Sequence, residues 1–327
     1  MTRYLVVINF FAVLFCNNVA QSQTITWQHL DSMAMHMASV IYKTTPDTAL
    51  KLYYLKPANT TLNDKLPAVI WIHGGAWVGG KANIFFANAA YCSLKNTVGF
   101  SIDYRLINNN RSSIYNCIAD CKSAIRYIKT HAAELNVDTN KIVLVGESAG
   151  GHLAACMALL DGHNDAFNKS INTIPYALVL YNPVVNVATG GFIKFMDATA
   201  TLQKPNITDT TALLQQYQTA AKAISPLYLV KKALPPTLII NGTVDKVTPY
   251  EYAASFADSL KKYNTKCQLV LLPNMGHAFS IPHYKSPEQQ VIDAILIADT
   301  FLKKLGILKG DVTLVNGNDA NWLVRKN

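Results

Sequence analysis

Three residues that could share one piece of chemistry sit just beyond short apolar runs, in the order serine, aspartate, histidine. Ser148 lies in Gly146-Glu147-Ser148-Ala149-Gly150, after Ile142-Val143-Leu144-Val145 and before an Ala/Leu-rich stretch at 151–158. The pattern reads as strand, tight turn and helix with the serine on the turn, the arrangement of a nucleophile elbow. Asp245 comes shortly after Thr237-Leu238-Ile239-Ile240, and His277 shortly after Leu269-Val270-Leu271-Leu272. A serine hydroxyl is a poor nucleophile until a base takes its proton, and an imidazole base needs a carboxylate to orient it. Taken singly, each residue has a plain structural reading: a Gly-rich turn, a loop carboxylate, a packing histidine. Taken in order, each just past a strand, they point to acyl transfer, with Ser148 as nucleophile, His277 as base and Asp245 as the orienting acid. Glu251 is a reserve acid, set inside the next helix by Pro249.

For these residues to meet, the strands before them must end at one edge of a sheet. Strands are predicted at 50–55, 68–72, 97–102, 141–145, 176–181, 237–240 and 268–272, and helices at 116–131, 253–263 and 288–305. The alternation argues an α/β fold, a mostly parallel sheet with helices on both faces. Right-handed crossovers gather the strand C-termini at one edge, where ligands of open α/β sheets bind. Residues 23–65 read as short strands and turns. The polar interval 186–230, after the strand at 176–181, breaks the rhythm and reads as either a surface loop or a small lid.

Acyl transfer also needs donors for the negative charge that builds on the carbonyl oxygen. The Ala149 N–H, at the start of the helix after Ser148, is one. His73-Gly74-Gly75-Ala76-Trp77, in the loop after an earlier strand, offers others. Together with Asp103-Tyr104-Arg105, the Ser148 pentapeptide, Asp245 and His277, this segment resembles the hormone-sensitive-lipase-like α/β-hydrolases. Within that group the chain looks most like bacterial exported acetyl xylan and feruloyl esterase-like proteins. The likeness extends through residues 117–127, 148–155, 225–227 and 234–237, and covers about residues 50 to 306. It implies an α/β-hydrolase fold, oxyanion donors at Gly75, Ala76 and Ala149, and structural roles for Asp103 and Arg105. The chain departs from the commoner H-G-G-G form at Ala76, which keeps its N–H. Trp77 and Tyr181 are read as flanking the site, either shaping a substrate pocket or packing the core. His152 reads as a packing residue and Glu147 as a support of the turn.

The chain has 327 residues, half of them hydrophobic, enough for one large core. Its formal charge of +9 is spread without a clustered basic patch, which argues against a nucleic-acid partner. Residues 1–22 read as a secretory leader: Arg3, an apolar stretch at 5–15, and small residues Ala20 and Ser22 before Gln23. Lipid anchoring at Cys16 is the lesser alternative, because Phe15 is bulky. The expected organisation is a leader over 1–22, one hydrolase domain over 23–310 and an appended tail over 311–327. No other run is long enough to span a bilayer, so the mature protein is expected to be soluble and exported, to the periplasm or medium. The five cysteines that follow the leader, Cys92, Cys117, Cys121, Cys156 and Cys267, are odd in number and irregularly spaced, which argues for free thiols rather than a disulfide framework. No phosphate loop, dinucleotide fingerprint or zinc-ligand spacing is present, so no cofactor and no metal is implied.

The sequence therefore reads as a serine carboxylic-ester hydrolase working through an acyl-enzyme. The resemblance and the leader suggest acetyl or feruloyl groups on plant polysaccharide or its oligosaccharides. A small-molecule esterase or lipase and a kynurenine formamidase-like amidase stay open, as does a hydrolase-fold binding protein without catalysis.

Overall fold

The computed structural model describes residues 23–107, 112–162, 164, 169–189, 210–284 and 286–317. An eight-stranded sheet carries the molecule. Its strands are β2 (Ala38–Thr44), β3 (Ala49–Leu55), β4 (Leu66–Ile72), β5 (Val98–Ile102), β6 (Val137–Glu147), β7 (Ala177–Tyr181), β8 (Thr237–Gly242) and β9 (Cys267–Leu272). The order across the sheet is β2-β3-β5-β4-β6-β7-β8-β9. At one side β3 pairs antiparallel with both β2 and β5; β4 through β9 run parallel. This is the mostly parallel, helix-covered sheet that the alternation of elements predicts, in the α/β-hydrolase form that the resemblance implies.

The central strands read as unbroken apolar runs because both faces are covered. Successive side chains leave a strand on opposite sides. Ala68, Ile70, Ile72, Leu144, Leu178, Leu180 and Ile239 enter one core, while Val69, Trp71, Val143, Val145, Val179, Leu238 and Ile240 enter the other. Helices α3 (Ile114–Thr130), α5 (Ala149–Leu159) and α8 (Tyr250–Lys262) cover the first face. Helices α1 (Trp27–Ala34), α2 (Phe86–Leu94) and α9 (Glu288–Lys304) cover the second. A short α4 (Ala132–Leu135) leads into β6. Burying each large aliphatic side chain of these strands contributes about 1.5–3 kcal/mol before entropic costs. The five cysteines among the described residues are free thiols, with Cys92, Cys117, Cys121 and Cys156 buried and Cys267 half-buried.

Two expectations need revision. Within 23–65, where short strands and turns are expected, residues 27–34 form α1; it buries Trp27, Leu30 and Ala34, a helical spacing hidden among polar neighbours. The described part of the tail read from residue 311 onward, 311–317, is not appended: Val312–Val315 forms β10, parallel to β1 (Gln23–Thr26), with Leu314 in the core. Lys95 Nζ donates to Val312 O at 2.8 Å, and Gly317 N donates to Glu288 Oε1 at 3.0 Å, which fastens the strand. Residues 318–327, the leader at 1–22 and residues 190–209 of the interval after β7 lie outside the described residues. The described ends of that interval pack on the core. Val185 and Val187 are buried, as are Ala221 and Ile224 at the end of α6 (Thr210–Lys222), and α7 (Pro226–Leu229) follows. No helix among the described residues is long and apolar enough to cross a membrane.

Because Leu314 fills a core position rather than decorating a tail, Leu314→Ala is expected to cost about 2–5 kcal/mol of stability. Chemical denaturation followed by fluorescence measures it; an unchanged midpoint would show that β10 is not part of the core.

Candidate active site

β6 ends at Glu147 and α5 begins at Ala149, leaving Ser148 alone to reverse the chain. Its backbone sits at φ 52° and ψ −115°, a conformation that costs a non-glycine residue on the order of 1–3 kcal/mol. Hydrogen bonds hold it there. Ser148 N donates to Tyr181 O at 3.0 Å, and Ser148 O accepts from His152 N at 3.0 Å and Val184 N at 3.2 Å. The flanking glycines are steric necessities. A Cβ on Gly146 would lie 2.3 Å from Gly150 O, and one on Gly150 would lie 2.1 Å from Ile72 O.

The loops after β8 and β9 bring Asp245 and His277 to this turn. His277 Nε2 is 2.9 Å from Ser148 Oγ, and His277 Nδ1 is 2.8 Å from Asp245 Oδ2. A carboxylate only accepts, so Nδ1 carries the proton and Nε2 is left to take the serine hydroxyl's. Asp245 Oδ1 accepts from the N–H groups of Val247 (2.8 Å) and Thr248 (2.9 Å), and Oδ2 accepts from Thr248 Oγ1 (2.8 Å) as well as from His277. Burial would raise the Asp245 pKa, but the hydrogen bond and charge of His277 and the Thr248 donors outweigh it and hold the carboxyl below its ordinary value. Burial likewise lowers the His277 pKa; the hydrogen bond to Asp245 and the charges of Glu147 and Asp245 outweigh it, so the imidazole sits above its ordinary value of 6.5.

The segment at 73–77 follows β4 and turns under the same edge. Gly75 (φ 106°), Ala76 (φ 52°) and Trp77 (φ 62°) are all in the left-handed region, two of them without the freedom of glycine. Neighbouring strands brace the loop. Tyr104 Oη donates to His73 O at 2.9 Å and its ring stacks on the His73 ring, while Ala82 N donates to Asp103 Oδ1 at 3.1 Å. Arg105 is bidentate to the buried Asp120 (2.8 and 2.7 Å), which also pairs with Lys43. Asp103 and Arg105 thus hold the loop and the sheet edge.

Gly74, Gly75, Ala76, Glu147, Ser148 and His277 open onto one cavity of about 420 Å³. Its other walls are mainly apolar: Ile84, Val247, Ala278, Ile281 and Tyr284, with Gly80. Ala149 is the first residue of α5, where N–H groups lack intrahelical acceptors. The arrangement can activate a hydroxyl and receive an oxyanion between two backbone segments. Among the described residues no cluster of three or more His, Cys, Asp or Glu could hold a metal ion.

Trp77 and Tyr181 do not shape the pocket. Both are fully buried; Trp77 packs edge-on against His152 at 5.1 Å, and Tyr181 stacks on Trp71 at 6.1 Å. Their loop and strand positions are near the site, but their side chains point into the two cores. His152 is a packing residue whose Nε2 meets Ile224 O at 2.8 Å, and burial lowers its pKa to about 4. Glu251 is exposed in the first turn of α8 and takes no part. Sequence reasoning passes over Thr248 and Asn182. Asn182 directly follows β7, so the rule that places Ser148, Asp245 and His277 at the strand ends also reaches it. Thr248, three residues past Asp245, carries no comparable signal.

A base with a raised pKa loses its neutral form earlier as pH falls. The acid limb of kcat/KM is therefore expected to have its midpoint above 6.5. An initial-rate profile measures this, and a midpoint well below that value would contradict the arrangement of two carboxylates about His277.

The BD-FAE family model matches residues 52–260. The esterase LipC of Mycobacterium tuberculosis is 27% identical over 256 residues, covering 76% of this chain and 60% of LipC. The isoprenylcysteine alpha-carbonyl methylesterase ICME of Arabidopsis thaliana is 24% identical over 248 residues, covering 73% of this chain and 56% of ICME. The chain thus spans little more than half the length of these curated relatives. Among solved structures, the butyrate-bound form of a thermophilic esterase from the Planctomycetes species Thermogutta terrifontis superposes with a TM-score of 0.72 at 30% identity. That likeness covers 84% of this chain and 96% of the other. With the family model spanning most of the sheet and both glycine-bearing turns, the chain belongs to the BD-FAE family, among the hormone-sensitive-lipase-like α/β-hydrolases.

Proposed function

We propose that the protein is a serine carboxylic-ester hydrolase. The observation that carries this reading is the unbroken line Ser148 Oγ, His277 Nε2, His277 Nδ1, Asp245 Oδ2, with contacts of 2.9 and 2.8 Å at the wall of an open cavity. Three relatives or structural neighbours named as esterases support it.

In this reading Ser148 Oγ attacks the ester carbonyl carbon while its proton passes to His277 Nε2. The N–H groups of Gly75, Ala76 and Ala149 receive the charge on the carbonyl oxygen; losing one such donor costs about 3 kcal/mol of transition-state stabilisation. His277 then gives the proton to the departing alkoxide, and the acyl group stays on Oγ. A water deprotonated by His277 attacks the acyl carbonyl, and Oγ takes the proton back as the acid leaves. Asp245 keeps the imidazole in one tautomer and offsets its charge throughout.

The cavity favours a small acyl group. Its apolar walls at Ile84, Val247, Ile281 and Tyr284 suit an acetyl, a short aliphatic or a single aromatic acyl group such as feruloyl, and the butyrate-bound neighbour supports this size range. The family likeness and the leader-like residues 1–22 favour acylated plant polysaccharide or its oligosaccharides as the physiological substrate, met outside the cytoplasm.

Ser148→Ala should abolish hydrolysis of p-nitrophenyl acetate, by a factor of about 10³ or more, without lowering the melting temperature. Retained turnover would remove Ser148 from the reaction. With p-nitrophenyl esters of rising chain length, methyl ferulate and acetylated xylan, kcat/KM should favour acyl groups up to butyryl and the feruloyl ester over long chains. A maximum at long-chain esters would replace this reading with that of a lipase.

A further inference from the structure

The line from Ser148 through His277 to Asp245 leaves one buried carboxylate of the site unused. Glu147, the residue before the nucleophile, is only 2% exposed, yet it lines the same cavity. Its Oε1 accepts from Asn182 Nδ2 at 2.9 Å and lies 4.0 Å from His277 Nε2. The other side of the carboxylate faces the loop at 73–77. The Gly74 backbone packs against it so closely that a Cβ on Gly74 would sit 2.0 Å from Glu147 Oε2.

Asn182 is the second half of this contact. Its Nδ2 is 3.3 Å from His277 Nδ1 and 3.5 Å from His277 Nε2. An atom nearly equidistant from both ring nitrogens cannot lie in the ring plane without striking the ring carbons, so the amide lies over the imidazole face. In-plane, the two nitrogens are already engaged by Asp245 and Ser148. Glu147 holds the amide against that face, and the left-handed backbone of Asn182 (φ 35°), tied to Ile240 O at 2.7 Å, keeps it there.

We propose that Glu147 is a positioning residue for the reaction. Its carboxylate steadies the His277 imidazolium by its charge, holds the Asn182 amide against the ring face, and fixes the loop at 73–77 relative to the base. The inference rests on reading Ser148 and His277 as nucleophile and base. The titratable groups facing His277 are Asp245, from the loop after β8, and Glu147, from the end of β6; Thr248 and Asn182 contribute only neutral dipoles. Burial raises the Glu147 pKa, opposed by the His277 charge, Asn182 and Gly74, so its protonation is linked to that of the base.

The test compares wild type with E147Q and E147D by NMR titration of the His277 imidazole and by kcat and KM across pH. In E147Q the imidazole is expected to titrate about one pH unit lower. The acid limb of kcat/KM moves with it, and plateau kcat falls about tenfold at unchanged KM. E147D keeps the charge and should keep most of the raised titration. An E147Q imidazole that titrates as in wild type, even with a lower kcat, would reduce Glu147 to a packing role. So would an E147D imidazole that titrates well below the wild-type value, which covers the case where E147Q does not fold. The imidazole titration needs no turnover. A wild-type protein that hydrolyses no ester would therefore sink the proposed function, while an unmoved titration would sink this inference alone.

Discussion

The register of the parallel strands is the constraint from which the site follows. Ile72 pairs with Gly146, Glu147 with Tyr181, Tyr181 with Ile240 and Gly242 with Leu272, so the strands end level and their loops open together. In a strand buried on both faces, a slip of one residue exchanges one apolar side chain for another, and hydrophobic alternation cannot pin the register as it does in a half-exposed sheet. Close backbone contacts do so instead. Gly150 fits against Ile72 O with no room for a Cβ, which locks the turn after β6 to the end of β4. The strained Ser148 backbone persists because Tyr181 O, at the end of the neighbouring strand, holds its N–H.

Electrostatics then act on a scaffold already rigid. Asp245 is buried but accepts four hydrogen bonds, so it keeps its charge where an unsatisfied carboxylate would take up a proton. Asp120, fully buried, is satisfied in the same way by Arg105 and Lys43, and serves the frame rather than the chemistry. The difference between these two buried aspartates is their neighbour. One faces a guanidinium and an ammonium; the other faces an imidazole that gains and loses a proton near neutral pH.

Much of this was legible in the residues. The apolar runs locate the parallel strands, and the residues just past three of them, Ser148, Asp245 and His277, converge at one edge. Local pattern cannot show where a side chain points once both faces are buried, which is why Trp77 and Tyr181 read as pocket walls while the structure turns them into the cores. The apolar walls at Ile84, Ile281 and Tyr284 come from segments with no motif, brought in by the 3₁₀ turn at Ala82–Phe85 and the loop after β9. Helix α1 was hidden because its buried positions are only Trp27, Leu30 and Ala34 in an otherwise polar stretch. Strand β10 was hidden because its partner lies almost a full chain length away.

That last pairing bears on how the molecule is assembled over time. The contacts that build the eight-stranded sheet join segments that emerge one after another, so strands can dock as they appear. The pairing of β1 with β10 instead closes nearly the whole described chain into a loop, at an entropic cost that grows with the logarithm of loop length. Leu314 packs in the core beneath the face covered by α1, α2 and α9. The strand pair is therefore the described strand pairing with the largest loop to close, a clasp that ties the two ends of the described chain together.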